Sequence, residues 1–107
     1  MSTTLDRIKG LVSNGDYRIS EHGYDRLTSD GLLAKVVIKG LSKAVLIEDY
    51  PDYPKGSCVL TLQQDENGQP IHAVWGIPKG KNSPAVLITS YRPDPVKWTA
   101  DFLKRKS

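Results

Sequence analysis

A histidine and an arginine stand four residues apart in Ser20-Glu21-His22-Gly23-Tyr24-Asp25-Arg26-Leu27. On a helix that spacing puts both side chains on one face. Imidazole gains or loses a proton near neutral pH, and guanidinium is a permanent cation suited to phosphate. A proton-transfer group beside an anion clamp is what RNA cleavage by attack of the ribose 2′-hydroxyl on the adjacent phosphate requires. Six other residues extend this inventory: His72, Lys79, Tyr91, Arg92 and the Lys97-Trp98 pair. In this chemistry His22 acts as general base or acid, with His72 or Tyr91 as its complement. Arg26 and Arg92 stabilise the phosphate, Lys79 and Lys97 hold the strand, and Trp98 stacks a base. Two plainer roles compete: Trp98, one turn from Phe102, reads more readily as core, and His72 reads equally as a strand histidine bonded to a neighbour.

These side chains need elements to hold them. Leu5, Ile8, Leu11 and Val12 recur at helical spacing over residues 4–13, and Asn14-Gly15 ends that helix. Residues 17–19 are short and extended. Ser20 then caps the His22/Arg26 helix, which stops near Thr28, with Glu21 at its positive end. Ser29 or Asp30 caps another helix through Lys39, with Leu33, Val36 and Val37 inward and Gly40 closing it.

From there the hydrophobic period shifts from 3.6 to 2. Residues 44–49 form a strand, and Pro51 and Pro54 make the following segment a loop. Residues 58–63 alternate, with Cys58, Leu60 and Leu62 on one face. Asn67-Gly68 signals a hairpin. The returning strand, 71–77, puts Ile71, Ala73, Trp75 and Ile77 on one face and His72 and Val74 on the other. In the last strand, 85–91, strict alternation puts Tyr91 with Leu87 and Thr89, and Arg92 with Val86, Ile88 and Ser90. Asp94-Pro95 then starts a C-terminal helix with Val96, Trp98, Phe102 and Leu103 on its apolar side. The expected fold is α+β: N-terminal helices, a three- to four-stranded antiparallel meander and a C-terminal helix. Its hairpin-length connections disfavour a parallel nucleotide-binding sheet.

The 107 residues carry 38% hydrophobic and 25% charged side chains with a net charge of +3, which reads as one globular domain, 1–107, with a mild basic bias. Lysines and arginines crowd the C-terminus, and acids lie mid-chain. The sequence contains no glycine-rich phosphate loop and no paired Cys or Cys/His set, so neither a nucleotide cofactor nor a metal is expected. Cys58 is the single cysteine, which rules out an internal disulfide and points to a reducing compartment. The absence of a membrane-length apolar run or a leader-like start makes cytoplasmic placement, with no membrane, the expectation.

Several motifs also resemble those of a widespread uncharacterised bacterial domain. They are Ile19-Ser20-Glu21-His22 with Arg26, Ser29-Asp30, Glu48-Asp49-Tyr50-Pro51, Ile71-His72-Ala73-Val74, and Ile88-Thr89-Ser90-Tyr91-Arg92-Pro93-Asp94 with Trp98. That domain is similar to the small ribonuclease toxins of the RelE/ParE and BrnT kind, and the resemblance runs over about residues 17–102. It implies a RelE/barnase-like arrangement of helices against an antiparallel sheet. It also implies metal-independent endoribonuclease activity as the toxin of a type II toxin-antitoxin system, with RNA, free or on the ribosome, as substrate. The implied protein partner is a cognate antitoxin of zinc-finger type. On this resemblance His22, Arg26, His72, Tyr91, Arg92 and Trp98 match the family's motif residues. The alternative is a non-catalytic module of the same fold that binds protein or RNA. Catalysis needs His22, Arg26 and Arg92 to converge on one pocket, whereas a binding surface does not.

Overall fold

A computed structural model describes residues 2–106. Ser2 caps the first helix, α1 (Thr3–Ser13), by accepting from the Leu5 backbone N–H at 3.1 Å, and Leu5 and Ile8 are buried. Strand β1 (Tyr17–Ile19) leads into α2 (Glu21–Ser29), whose cap is Ser20 as expected. The Ser20 hydroxyl accepts from Gly23 N at 2.9 Å and donates to the Ile88 carbonyl at 3.0 Å, so one residue both caps the helix and pins it to the sheet. Gly23 makes this approach feasible: a Cβ there would lie 2.7 Å from the Leu87 carbonyl oxygen.

The next helix, α3 (Ala34–Gly40), starts later than the sequence suggests. Ser29 is the last residue of α2 and Asp30 its C-cap, while Gly31 at φ 65° turns the chain. Leu33 stands at the N-cap of α3 and is exposed rather than inward; Val37 is fully buried. Asp30 is thereby free to accept from the Arg92 backbone N–H. A single 3₁₀ turn (Leu41–Lys43) follows, and then four strands: β2 (Val45–Tyr50), β3 (Cys58–Gln64), β4 (Pro70–Gly76) and β5 (Ala85–Tyr91).

The fold is α+β. Strands β2 to β5 form the antiparallel meander, and the sheet order is β1-β5-β4-β3-β2. The sheet is mixed rather than purely antiparallel, because β1 adds a fifth strand parallel to β5, pairing Tyr17 with Ala85 and Ile19 with Leu87. Three residues are too few to announce a strand by periodicity, so only their tertiary pairing makes them one.

One face of the sheet is covered by helices. Leu5, Ile8, Leu27 and Val37 pack against Val59, Ile71, Ala73, Trp75 and Leu87. On β3 the residues facing the helices are Val59, Thr61 and Gln63. Thr61 donates to the Ala73 carbonyl at 3.0 Å and Gln63 Nε2 to the Val37 carbonyl, which pairs these two donors inside the core while Gln63 Oε1 is left without a partner. Cys58, Leu60 and Leu62 share a face, as their spacing suggests, but it is the opposite one. A β-bulge in β5 separates Leu87, opposite Trp75, from Thr89, opposite Val74. Beyond it Ser90 pairs with Ala73 on the helix side, and Tyr91 pairs with His72 on the other. The bulge therefore places Tyr91 and Leu87 on opposite faces, where strict alternation would have kept them together.

The expected C-terminal helix does not form. Asp94 starts one turn, accepting from Val96 N at 2.9 Å through its carboxylate and from Lys97 N and Trp98 N through its carbonyl. The chain then reverses: Thr99 N donates to Lys104 O, Lys106 N donates to Lys97 O, and Trp98 bridges to Arg105. The Asp101 carboxylate accepts from the Thr99 hydroxyl and Leu103 N, and Phe102 takes a positive φ of 60°. Val96, Trp98, Thr99, Asp101 and Phe102 are all weak helix formers, and local side-chain bonds to the backbone compete with helical ones. Among the described residues no helix is long and apolar enough to cross a membrane.

Candidate active site on the open sheet face

The face without helices carries His72, Val74, Cys58, Leu60 and Tyr91, with the C-terminal reversal folded onto it. His72 is fully buried there. Its Nε2 lies 2.8 Å from the Phe102 carbonyl oxygen. A carbonyl can only accept, so Nε2 carries the proton and Nδ1 presents a lone pair. Nδ1 lies 3.3 Å from the Tyr91 hydroxyl, which therefore donates to it. Trp98 stands edge-on to the imidazole at 4.4 Å between ring centroids, and Tyr91 at 5.4 Å. Burial pushes the His72 pKa below its ordinary value, opposed by the bond to Phe102, so the ring is neutral at pH 7. Burial likewise raises the Tyr91 phenol.

Cations surround this pair. The Arg26 guanidinium sits 5.7 Å from the Tyr91 ring centroid and 3.8 Å from the Asp30 carboxylate. On the other side Arg105 lies 4.9 Å from the Trp98 ring centroid and grips Glu48 with two bonds, at 2.5 and 3.2 Å. That grip holds the Glu48 carboxyl below its ordinary range, and the bond from Tyr50 to Glu48 raises the Tyr50 phenol. A cavity of about 300 Å³ opens between Glu48, Tyr50, Tyr53, Leu60, Tyr91 and Arg105.

The expected convergence of His22, Arg26 and Arg92 on one pocket does not occur, and the residues selected from the sequence separate into groups. Arg26 and His72 each stand against Tyr91, and Trp98 stands against His72. Trp98 is 6% exposed, and its ring is engaged by His72 and Arg105 instead of offering a free face. His22 is exposed on α2 and makes no side-chain hydrogen bond among the described residues. Arg92 turns away: its guanidinium bonds Asp65 at 2.7 Å and the Pro70 carbonyl at 3.2 Å, bracing the β3–β4 turn. Its backbone N–H donates to Asp30 at 2.9 Å, so Asp30 ties the end of β5 to Arg26. Lys79 is exposed in the β4–β5 connection and Lys97 in the C-terminal segment.

Glu48, Tyr50, Arg105 and the Phe102 carbonyl are parts of the site that sequence reasoning did not assign. A carboxylate following Val45-Leu46-Ile47 was a usable signal for Glu48. Arg105 looked like one more charge in a basic tail, and a backbone carbonyl has no sequence signature. Among the described residues no three His, Cys, Asp or Glu side chains gather as a metal-binding set. Cys58 is a buried free thiol whose pKa burial raises.

Residues 19–92 match the family described as Domain of unknown function (DUF4258), a span that includes Arg26, Glu48, His72 and Tyr91 and ends before Trp98 and Arg105. No curated protein and no solved structure matches the chain.

Proposed function

The chain belongs to the DUF4258 family, and from its site we propose that it is a metal-independent endoribonuclease, acting as the toxin of a type II toxin-antitoxin pair. The observation that carries this reading is the Tyr91–His72 pair: a phenol donating to the unprotonated Nδ1 of a buried, neutral imidazole, with Arg26 and Arg105 on either side. In the reaction Tyr91 Oη accepts the proton of the ribose 2′-hydroxyl while its own proton passes to His72 Nδ1. The 2′-oxygen attacks phosphorus and the bond to the 5′-oxygen breaks. The same pair then returns a proton to that leaving oxygen, giving a 2′,3′-cyclic phosphate and a 5′-hydroxyl. The Phe102 carbonyl holds the transient imidazolium by its Nε2–H, and Arg26 and Arg105 meet the developing phosphorane charge. Glu48, held ionised by Arg105, orients that guanidinium instead of serving as a base.

The four-stranded antiparallel meander backed by helices supports the likeness to RelE-type folds, and the exposed Tyr50 and Tyr53 at the mouth of the site support coverage of this face by an antitoxin. The test is digestion of labelled mixed-sequence RNA in EDTA, with and without ribosomes, with product ends identified. Cyclic-phosphate ends from the wild type, absent on RNA whose 2′-hydroxyls are methylated, are the expected result. Loss of cleavage in His22→Ala with full activity in Tyr91→Phe would transfer the proton-transfer role to His22. No products under any condition would leave a protein- or RNA-binding module.

A further inference from the structure

A second cavity, of about 290 Å³, lies beyond the other end of β4 from His72. Arg7 of α1 and Lys79 and Lys81 of the β4–β5 connection line it, with Tyr53 and Ser57 opposite. Three cations from two distant chain segments converge there against a single carboxylate, Asp52. Among the described residues none of the three is ion-paired; Arg7 has only a 3.5 Å contact to Asn82. Three cations facing one carboxylate leave an excess of positive charge, and an entering anion relieves that repulsion.

The walls are built, not loose. Ile77 N donates to Ser57 O at 2.9 Å and Lys79 N to Lys55 O at 3.1 Å, locking the two connections together. Gly56, at φ 126°, packs so closely that a Cβ would lie 2.0 Å from the Ile77 carbonyl oxygen. Tyr53 lines this cavity, the neighbouring one that holds Arg18 and Lys55, and the one between Glu48 and Tyr91. The three cavities thus meet at Tyr53. Five residue steps, along β4 and just past its end, separate His72 from Ile77, roughly 17 Å at about 3.3 Å per residue.

We infer that the Arg7/Lys79/Lys81 cavity binds a phosphate group, and that Tyr53, half-exposed between it and the Tyr91 cavity, is a stacking platform for a base. The phosphate belongs to the same RNA strand that reaches Tyr91, which makes the substrate single-stranded and several nucleotides long; this last step rests on the ribonuclease reading. A free phosphate ester offers the same chemistry, and the experiment separates the two sources.

The probes are a short single-stranded 2′-O-methyl RNA, which cannot be cleaved by 2′-hydroxyl attack, and inorganic phosphate. Binding is followed for wild type, the double variant Lys79→Ala/Lys81→Ala, Tyr53→Ala, and a charge-matched control, Lys35→Ala/Lys39→Ala on α3. The double variant is expected to weaken RNA binding by about tenfold at low salt. It should also flatten the dependence of log K on log salt by about 0.7 for each phosphate no longer neutralised, with no change in the control. Tyr53→Ala should weaken binding roughly fivefold or more at an unchanged salt slope. Phosphate binding that the double variant abolishes, with RNA binding unaltered, would support the cavity and assign it to a free phosphate ester instead of the strand. Equal binding of both probes by wild type and double variant would overturn the site. Because the RNA probe is inert, none of these outcomes depends on whether Tyr91 and His72 perform chemistry.

Discussion

Replacing Tyr91 by phenylalanine removes one oxygen and keeps the ring that packs on His72 and under Arg26. What disappears is the 3.3 Å bond to His72 Nδ1, long for a hydrogen bond and therefore weak. Deleting it leaves a buried acceptor unpaired, which costs about 1–3 kcal/mol, and the length of the bond puts the cost near 1 kcal/mol. Against a total stability of about 5–15 kcal/mol for a domain of this kind, Tyr91→Phe stays folded. The effect on rate is of another order. If the phenol carries the proton, its loss removes proton transfer altogether, about 10²–10⁴-fold, or roughly 3–5 kcal/mol of barrier. Urea unfolding and initial rates of cyclic-phosphate formation, measured on the same preparations, separate the two quantities. A stability decrease of about 1 kcal/mol with a collapse in rate is expected. Wild-type rates with that same decrease in stability would make the Tyr91–His72 bond purely structural and refute the relay.

Other consequences concern the scaffold. His72 titrates lower in the folded protein than its ordinary value of about 6.5, so the unfolded chain binds the extra proton first. Its contribution is therefore intact above about pH 6.5 and is lost as pH falls below it, by up to about 1.4 kcal/mol per pH unit; His72→Gln should flatten this slope in urea titrations at stepped pH. Trp98→Ala should cost about 3–5 kcal/mol and, by admitting water over the imidazole, also weaken the acid sensitivity; a variant as stable as wild type would contradict its burial. Gly56→Ala combines a positive φ with a 2.0 Å overlap on Ile77 and should lose about 3 kcal/mol or more, seen as a large drop in Tm, whereas alanine at the exposed Gly80 turn meets nothing within 4 Å and should cost less.

How much was legible in the sequence follows from how local each cause is. The Ser20 cap, the α2 helix bearing His22 and Arg26, the meander of β2 to β5 and the inward set Ile71, Ala73, Trp75 and Ile77 arise from neighbours within a few residues, and pattern reading found them. What was missed depends on contacts across the chain. Residues 17–19 were legible as extended, but their place in the sheet exists because β5 offers them a parallel partner. A one-residue bulge in β5 turns Tyr91 to the face of His72, and no composition signal marks a bulge. The amphipathic spacing of Val96, Trp98 and Phe102 fitted a helix, but Trp98 contributes more by covering His72 than by completing a helical turn, and the Phe102 carbonyl becomes the partner of Nε2.

Local patterning along the chain set the α+β class, the positions of most elements and the residue types able to move a proton or hold a phosphate, because periodicity, caps and turn residues act between near neighbours. Tertiary structure alone decided which of those residues form a site. It left His22 exposed on α2 and turned Arg92 to Asp65, and it brought Arg105, Glu48 and the Phe102 carbonyl to His72 and Tyr91. The physical reason is that a buried imidazole must satisfy both ring nitrogens, and its partners come from segments 19 and 30 residues away that only the packed fold brings within bonding distance.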